Sequence, residues 1–383
     1  MVKPTTKQIL YIVFDKLPKK CEGGLVATYI NLTKELQPYY RIEFVGIFDN
    51  GENDIPEFNN IPLHVLSKKN IDNRFFSAIN YLREGKFHKF FHALASAFYF
   101  FGSLPINKIR SKQLLSNQMV IASSPAAAMF LSKKIRYILE IHTAFEYFWG
   151  TNILGKMQSA LIPPAAITVF RNKSDAEKAK KLFPATYIYN AFNASSLPIV
   201  NFNKKTTHSA LFVGRLVSEK NPLRLLDCAY LVKQSVPNFV LDIYGNGPLT
   251  NTLHEKIDKM NLQDTVHLKG FIDNKAIYQK YDLLWVTSNF EGFGLVIIEA
   301  MANGIPCVSS NWGDAISEII EHEKTGCIAQ NNKEFVNYTI SLLSNSEARE
   351  EMSKNAYMSF QQKYTCETNT QHWLGLLKNI YTD

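Results

Sequence analysis

Short apolar runs alternate with longer stretches of helical period along most of the chain. Residues 8–14, Gln-Ile-Leu-Tyr-Ile-Val-Phe, form a near-continuous apolar run with β-branched members. That is the pattern of a strand buried on both faces. The turn Glu22-Gly23-Gly24 follows, then a helical stretch to Leu36, stopped by Pro38. Further strands are expected at 42–47, 62–66, 119–122, 136–142, 166–170 and 186–189. Residues 193–207, rich in Asn, Ser, Thr and Lys with Pro198, read as a linker. A second rhythm starts near Ser209, with strands at 210–213, 239–244, 266–268, 283–287 and 306–309. Asn221-Pro222 opens a helix with a cap residue and a proline in its first turn. Residues 346–381 read as helical throughout.

Strands alternating with helices predict parallel sheets and an α/β fold of two doubly wound domains. The expected division is 1–192, a linker at 193–207, 208–364, and a C-terminal helix 365–383 packing back on the first domain. Ligands of such sheets bind at the carboxyl ends of the strands, so the expected site is a cleft between the domains.

Composition agrees with this size. The chain has 383 residues, 46% apolar and 20% charged, enough for two cores and unlike a disordered tail. Its 18 glycines and 15 prolines exclude collagen-like and low-complexity classes. No apolar run approaches the ~20 residues that span a bilayer. The first residues lack an apolar signal core and a small-residue cleavage site, so the expected location is the cytoplasm. Five scattered cysteines (Cys21, Cys228, Cys307, Cys327, Cys366), never CxxC, imply neither a disulfide framework nor a zinc site.

The net charge of +8 sits unevenly. Residues 68–112 hold nine Lys/Arg, two acids and ten aromatics, a net of +7. Within this stretch Phe87, Phe90, Phe91, Leu94 and Phe98 give one apolar helical face, with Lys86 and Lys89 beside it. No nucleic-acid recognition signature accompanies it. The expectation is docking on an anionic membrane surface; the alternative is a face that packs on the first domain's sheet.

The richest chemical segment runs from Ser288 to Met301. A strand ends near Thr287, a loop carries Glu291-Gly292-Phe293-Gly294, and a helix begins at about Gly294 and includes Leu295, Val296 and Glu299. A helix N-terminus offers unpaired N–H groups and partial positive charge, and glycines let an anion approach. Glu299 would be repelled by a diphosphate and so suits a neutral partner such as a ribose diol. Glu291, in the loop, suits a sugar. The bland reading is a glycine turn with Glu299 solvated. The loop Gly214-Arg215 to Lys220-Asn221 brings two cations to the ligand edge, where they suit phosphate oxygens or merely solvent. Gly23 and Gly24 allow close backbone approach at the first helix, or simply a tight turn. His142 closes a strand of the first domain.

Two absences narrow the class. Gly245-Asn246-Gly247 is followed by Thr250 where a dinucleotide fingerprint needs glycine, and the first strand lacks GxGxxG too. No Asp-x-Asp occurs that would hold a divalent metal on a diphosphate.

Taken in order, six segments resemble the donor half of retaining GT-B glycosyltransferases, glycosyltransferase family 4. They are residues 212–222 (FVGRLVSEKNP), 243–248 (IYGNGP), 266–271 (VHLKGF), 291–301 (EGFGLVIIEAM), 304–308 (GIPCV), and Glu318 with Thr325-Gly326. In the first domain only Glu22-Gly23-Gly24, His142 and Asn190 match. Asn311-Trp312-Gly313-Asp314 departs from the usual small glycine-rich turn.

The resemblance implies a GT-B fold, two Rossmann-like domains facing across a cleft. It implies a retaining, metal-independent enzyme without cofactor, moving a hexose or N-acetylhexosamine from a nucleotide sugar, most simply UDP-linked. The implied acceptor is a glycan, lipid-linked, in bacterial surface polysaccharide (lipopolysaccharide, O-antigen or capsule) assembly at the cytoplasmic face of the inner membrane. The implied roles are Arg215 and Lys220 on the diphosphate and Glu299 on the ribose. The backbone of Gly292, Phe293, Gly294, Leu295 and Val296 would hold sugar and phosphate, with Glu291 near the sugar. Gly23 and Gly24 would approach the diphosphate, and His142 the donor sugar. The competing readings are a GDP- or ADP-sugar enzyme with a soluble acceptor, a nucleotide-sugar binder without turnover, and a membrane or RNA adaptor built on 68–112.

Overall fold

The computed structural model describes residues 7–19, 24–51, 53–69, 86–145, 159–203, 205–272 and 274–382. Two compact units divide the chain. The first takes Met1–Arg171, Asp175–Ile188 and Thr370–Asp383, and the second takes Asn172–Ser174 and Tyr189–Asn369. Gly23, Glu22 and residues 70–85 of the basic, aromatic stretch lie outside the described residues.

The first unit holds a seven-stranded sheet of β1 (Ile9–Phe14), β2 (Arg41–Phe48), β3 (Leu63–Ser67), β4 (Met119–Ala122), β5 (Ile138–Glu140), β6 (Ile167–Phe170) and β7 (Ala185–Tyr187). The order is β3-β2-β1-β4-β5-β6-β7, with every pair parallel. Side chains alternate across a strand, and β1 uses both sides. Leu10, Ile12 and Phe14 enter one core and Tyr11 and Val13 the other. The helices Gly24–Leu36 and Cys366–Tyr381 cover the first face, the latter through Trp373 and Leu377.

The second unit repeats the plan with β8 (Ser209–Val213), β9 (Val240–Tyr244), β10 (Val266–Gly270), β11 (Leu283–Val286), β12 (Cys307–Ser310) and β13 (Gly326–Ala329). Its order, β10-β9-β8-β11-β12-β13, is again all parallel. In both sheets the order reverses next to the first strand, between β1 and β4 and between β8 and β11. Loops leaving the carboxyl ends of those strands diverge to opposite faces and leave a crevice.

Three expectations change. Residues 193–207 are not a free linker but group with the second unit. Val200 and Phe202 lie on Gly304, where a Cβ would come within 2.3 Å of Val200 Cγ1, and Phe202 packs edge-on against Tyr357. The stretch 346–381, read as helical throughout, is two helices, Ser346–Lys363 and Cys366–Tyr381. The break falls at the buried Tyr364, whose carbonyl accepts the Phe192 N–H at 3.0 Å while Thr365 bridges Phe192. Strand β13 went unread because its four residues, Gly-Cys-Ile-Ala, are too few to show a period.

Candidate active site

The second unit's crevice is lined by the loops after β8 and β11. Two glycines press the first of these loops into place. At Gly245, φ +151°, a Cβ would sit 1.8 Å from the Gly214 carbonyl oxygen, and at Gly247 it would sit 2.3 Å from that of Leu216. The contact is tied by Leu216 N–H to the Asn246 carbonyl (3.0 Å) and Leu249 N–H to the Leu216 carbonyl (3.1 Å). So these glycines serve backbone approach between two loops, not a dinucleotide.

The same loop is stitched to the one after β11. Asn289 N–H donates to the Glu219 carbonyl (2.9 Å), and Thr287 Oγ1 donates to the carbonyls of Lys220 and Asn221 (3.1 Å each). Asn221 stands before the helix Pro222–Ser235 in the left-handed region, φ +47°, and its side chain does not cap that helix. It donates to Asn289 Oδ1 instead (3.2 Å).

This stitching joins the proposed cation to the proposed carboxylate. Lys220 Nζ donates to Glu291 Oε2 at 2.5 Å, and Ser288 Oγ donates to Glu291 Oε1 at 2.6 Å. Glu291 is nearly buried and Lys220 half-buried, while Arg215 is exposed at the loop's tip. Beside them Gly294, φ +88°, starts the helix Leu295–Ala302. A Cβ at Gly294 would press Ile297 Cδ1 at 3.2 Å. Phe293 turns its ring into the core against Tyr189 and Tyr364, so only its backbone serves a ligand. Leu295 and Val296 are half-buried on the same core. A helix start leaves its first N–H groups without intrahelical carbonyls and carries partial positive charge.

Glu299, on the second turn, is buried. Its Oε2 accepts from Tyr278 Oη (2.6 Å) and Lys275 Nζ (2.9 Å). Burial, then the Glu299 charge, push the Tyr278 hydroxyl well above its usual range, so it stays a donor. Tyr278 and Lys275 thereby hold the Glu299 carboxyl group in place.

In the first unit, Gly24 is the first residue of its helix, and its carbonyl accepts from Thr28 Oγ1 at 3.0 Å. His142 lies two residues past β5, inside a network. Arg171 Nη2 donates to Glu140 Oε1 in an ion pair, and Tyr29 Oη donates to Glu140 Oε2 at 2.5 Å. Tyr29 Oη also meets His142 Nε2 at 3.1 Å, and Arg171 Nε donates to His142 Nδ1 at 3.4 Å. With the Tyr29 proton on Glu140, a neutral imidazole can donate from Nε2 to Tyr29 Oη, and Arg171 lies 3.4 Å from both ring nitrogens. Burial, then the Arg171 charge, lower the His142 pKa and favour that neutral form. Burial raises Glu140, but the Arg171 charge, His142 and Tyr29 outweigh it and bring the carboxyl to about 2.

Sequence reasoning singled out His142, Arg215, Lys220, Glu291 and Glu299 but not the groups that hold them. Glu140 and Arg171 carry a signal: charges set at the end of otherwise apolar strands. Ser288, Lys275, Tyr278 and Tyr29 carry none, because nothing in their spacing shows which carboxylate they meet.

Comparison with known proteins bears on the second unit and on the fold. Residues 197–359 match the family model described as Glycosyl transferases group 1. Those residues, in the second unit, resemble that family. The Bacillus subtilis (strain 168) poly(glycerol-phosphate) alpha-glucosyltransferase is 30% identical over 176 residues, 45% of this chain and 26% of that one. An uncharacterized glycosyltransferase of Haemophilus influenzae is 28% identical over 262 residues, 66% of this chain and 72% of that one. Anabaena HepE, solved in complex with UDP and glucose, superposes with a TM-score of 0.72 at 17% identity, over 97% of this chain and 99% of that one. The fold is therefore GT-B. The chain spans about a quarter of the length of the B. subtilis relative it matches.

Proposed function

We propose that this chain is a retaining group 1 glycosyltransferase that moves a hexose or N-acetylhexosamine from a UDP-sugar to a glycan acceptor. The observation that supports it most is the meeting of Lys220, Glu291 and the Leu295–Ala302 helix start at the β8–β11 crevice.

The reaction breaks the bond between the anomeric carbon and the leaving phosphate oxygen, through an oxocarbenium-like state. Negative charge grows on that phosphate. Arg215, Lys220 and the helix N–H groups supply fixed positive charge there without a metal ion. The Lys220–Glu291 pair holds both groups before the donor arrives. Glu291, fixed by Ser288 and Lys220, accepts from the sugar hydroxyls. Glu299 accepts from the ribose hydroxyls. We assign His142 the role near the donor sugar that the family resemblance implies. The acceptor hydroxyl forms the new bond on the face the phosphate leaves, and the phosphate takes the hydroxyl proton. The alpha-forming activity in the B. subtilis relative's name supports retention, since UDP-glucose is itself an α-glycoside. That name also supports a polymeric acceptor. We assign the lipid-linked acceptor and surface polysaccharide pathway to the same reading.

The test is purified protein with a panel of UDP-, GDP- and ADP-sugars, with and without EDTA, read as nucleoside diphosphate release. UDP release that survives EDTA supports the reading, and proton NMR of the product gives the anomeric configuration. A GDP- or ADP-sugar as sole substrate corrects the base. No release above the level of Lys220→Ala with any donor overturns catalysis.

A further inference from the structure

The helix Phe87–Gly102 in the first unit is packed with its large side chains outward. Toward the core it offers Ala93, Ser96 and Phe100. Phe87, Phe91, Leu94, Phe98 and Phe101 follow one another at steps of 4, 3, 4 and 3, one face of a helix, and all are exposed. Phe98 keeps 74% of its surface in solvent, Phe91 62% and Phe87 59%. On the next helix, Leu104–Leu115, Ile106 and Ile109 are 56% and 60% exposed. Scattered exposed apolar residues need no explanation, but seven on two consecutive helices mark an interaction surface.

Charge identifies the partner. Between Lys86 and Leu115 the chain carries Lys86, Lys89, Lys108, Arg110 and Lys112 and not one acid. A second copy of this surface would set cation against cation. A protein groove would need acids placed one by one against them. A bilayer with anionic headgroups answers both features at once: aromatic rings enter the headgroup–acyl boundary and cations stay among the phosphates. Among the described residues no helix is long and apolar enough to cross a membrane, so the contact would lie in the interface plane.

We infer that the helices Phe87–Gly102 and Leu104–Leu115 dock the first unit on an anionic lipid surface, inserting Phe87, Phe91, Phe98 and their neighbours. This extends the proposed function, because a lipid-linked acceptor would be presented at that surface, but its test uses no nucleotide sugar.

The experiment is flotation of the full chain with phosphatidylcholine vesicles, alone or with phosphatidylglycerol, at about 150 mM salt. Two variants accompany it, one with Phe87, Phe91 and Phe98 changed to Ser and one with Lys86, Lys89 and Lys112 changed to Glu. All are exposed positions, and unchanged thermal midpoints show that the fold persists. Wild type is expected to float with the anionic vesicles and not the neutral ones, with partitioning reduced about 100-fold or more by either triple substitution. Wild type left at the bottom of the gradient, or variants that float as well, would overturn the inference. Self-association of wild type that the Ser variant abolishes, without vesicle binding, would make the face a contact between copies and overturn it too. A protein that floats but turns over no donor would sink the enzymatic reading and keep this one.

Discussion

Arg171 and Glu140 form an ion pair inside the first unit, with side chains only 2% and 0% exposed. Removing one partner strands the other charge out of water, which costs about 3–5 kcal/mol. The pair also sets a pH dependence. Glu140 titrates at about 2 in the fold against 4.5 as an unperturbed carboxyl. Its depressed pKa contributes stability that is complete above about pH 4.5 and lost as pH falls toward 2. His142 is held below its ordinary 6.5, so the unfolded chain takes up its proton first. Stability from His142 is therefore complete well above pH 6.5 and lost as pH falls below it. The thermal midpoint should decline from pH 7 to 5 in wild type and decline less in His142→Gln. A wild-type midpoint flat from pH 7 to 5 would contradict the His142 assignment, and one flat from pH 4.5 to 2.5 the Glu140 assignment.

The Lys220–Glu291 contact predicts non-additive kinetics. Lys220→Ala and Arg215→Ala should each lower turnover about 10²–10³-fold, the cost of one contact to a developing anion. Glu291→Gln should lower it too, by loosening Lys220 and the sugar contact together. Because the two groups share one ion pair, the double variant should lose less than the product of the single losses. UDP release by the four proteins closes the cycle. Independent, multiplying losses would mean that the pair does not act as a unit.

Glu299 and Glu291 should separate binding from transfer. Glu299→Gln should weaken free UDP about 10-fold, since a ribose diol loses its charged acceptor. Glu291→Gln should leave UDP affinity nearly unchanged. Tyr278→Phe is the control on positioning: it removes the 2.6 Å bond that fixes Glu299 without touching the ligand. It should weaken UDP less than Glu299→Gln does. Calorimetric titration of UDP decides this, and equal losses in the Glu291 and Glu299 variants would remove the division of roles.

What could be read from the chain follows from how local each signal is. Strand β1 was visible because six consecutive residues alternate between two cores and so must all be apolar. The crevice was visible because a strand, a glycine and a helix follow one another in the chain. The side chains that fix the site were not, because Tyr278 reaches Glu299 across 21 residues and Tyr29 reaches Glu140 across 111. Residues 193–207 look like a linker in composition, yet Val200 and Phe202 find a groove at Gly304 that exists only once the second unit has folded. The Phe87–Gly102 helix shows the converse. Its period announces an apolar face, and only packing shows that the face with the large side chains is the outer one.

Gly245 offers a test of how the loop bearing Arg215 and Lys220 is held. A Cβ there would lie 1.8 Å from the Gly214 carbonyl oxygen, a backbone atom that cannot swing aside, and φ +151° already disfavours an L side chain. Gly245→Ala must push the Gly214–Asn221 loop away from β9. The cost should exceed about 2 kcal/mol and appear as a lower thermal midpoint. The displaced loop would also carry Lys220 from Glu291, so UDP release should fall at least about 10²-fold, as for direct loss of the cation. Gly270→Ala is the comparison. It too has positive φ, +71°, but nothing lies within 4 Å of its Cβ. It should cost about 1 kcal/mol and leave donor turnover nearly intact. If the two alanine variants lose equal activity, backbone conformation rather than the Gly214–Gly245 contact is what matters, and the loop is not held by that approach.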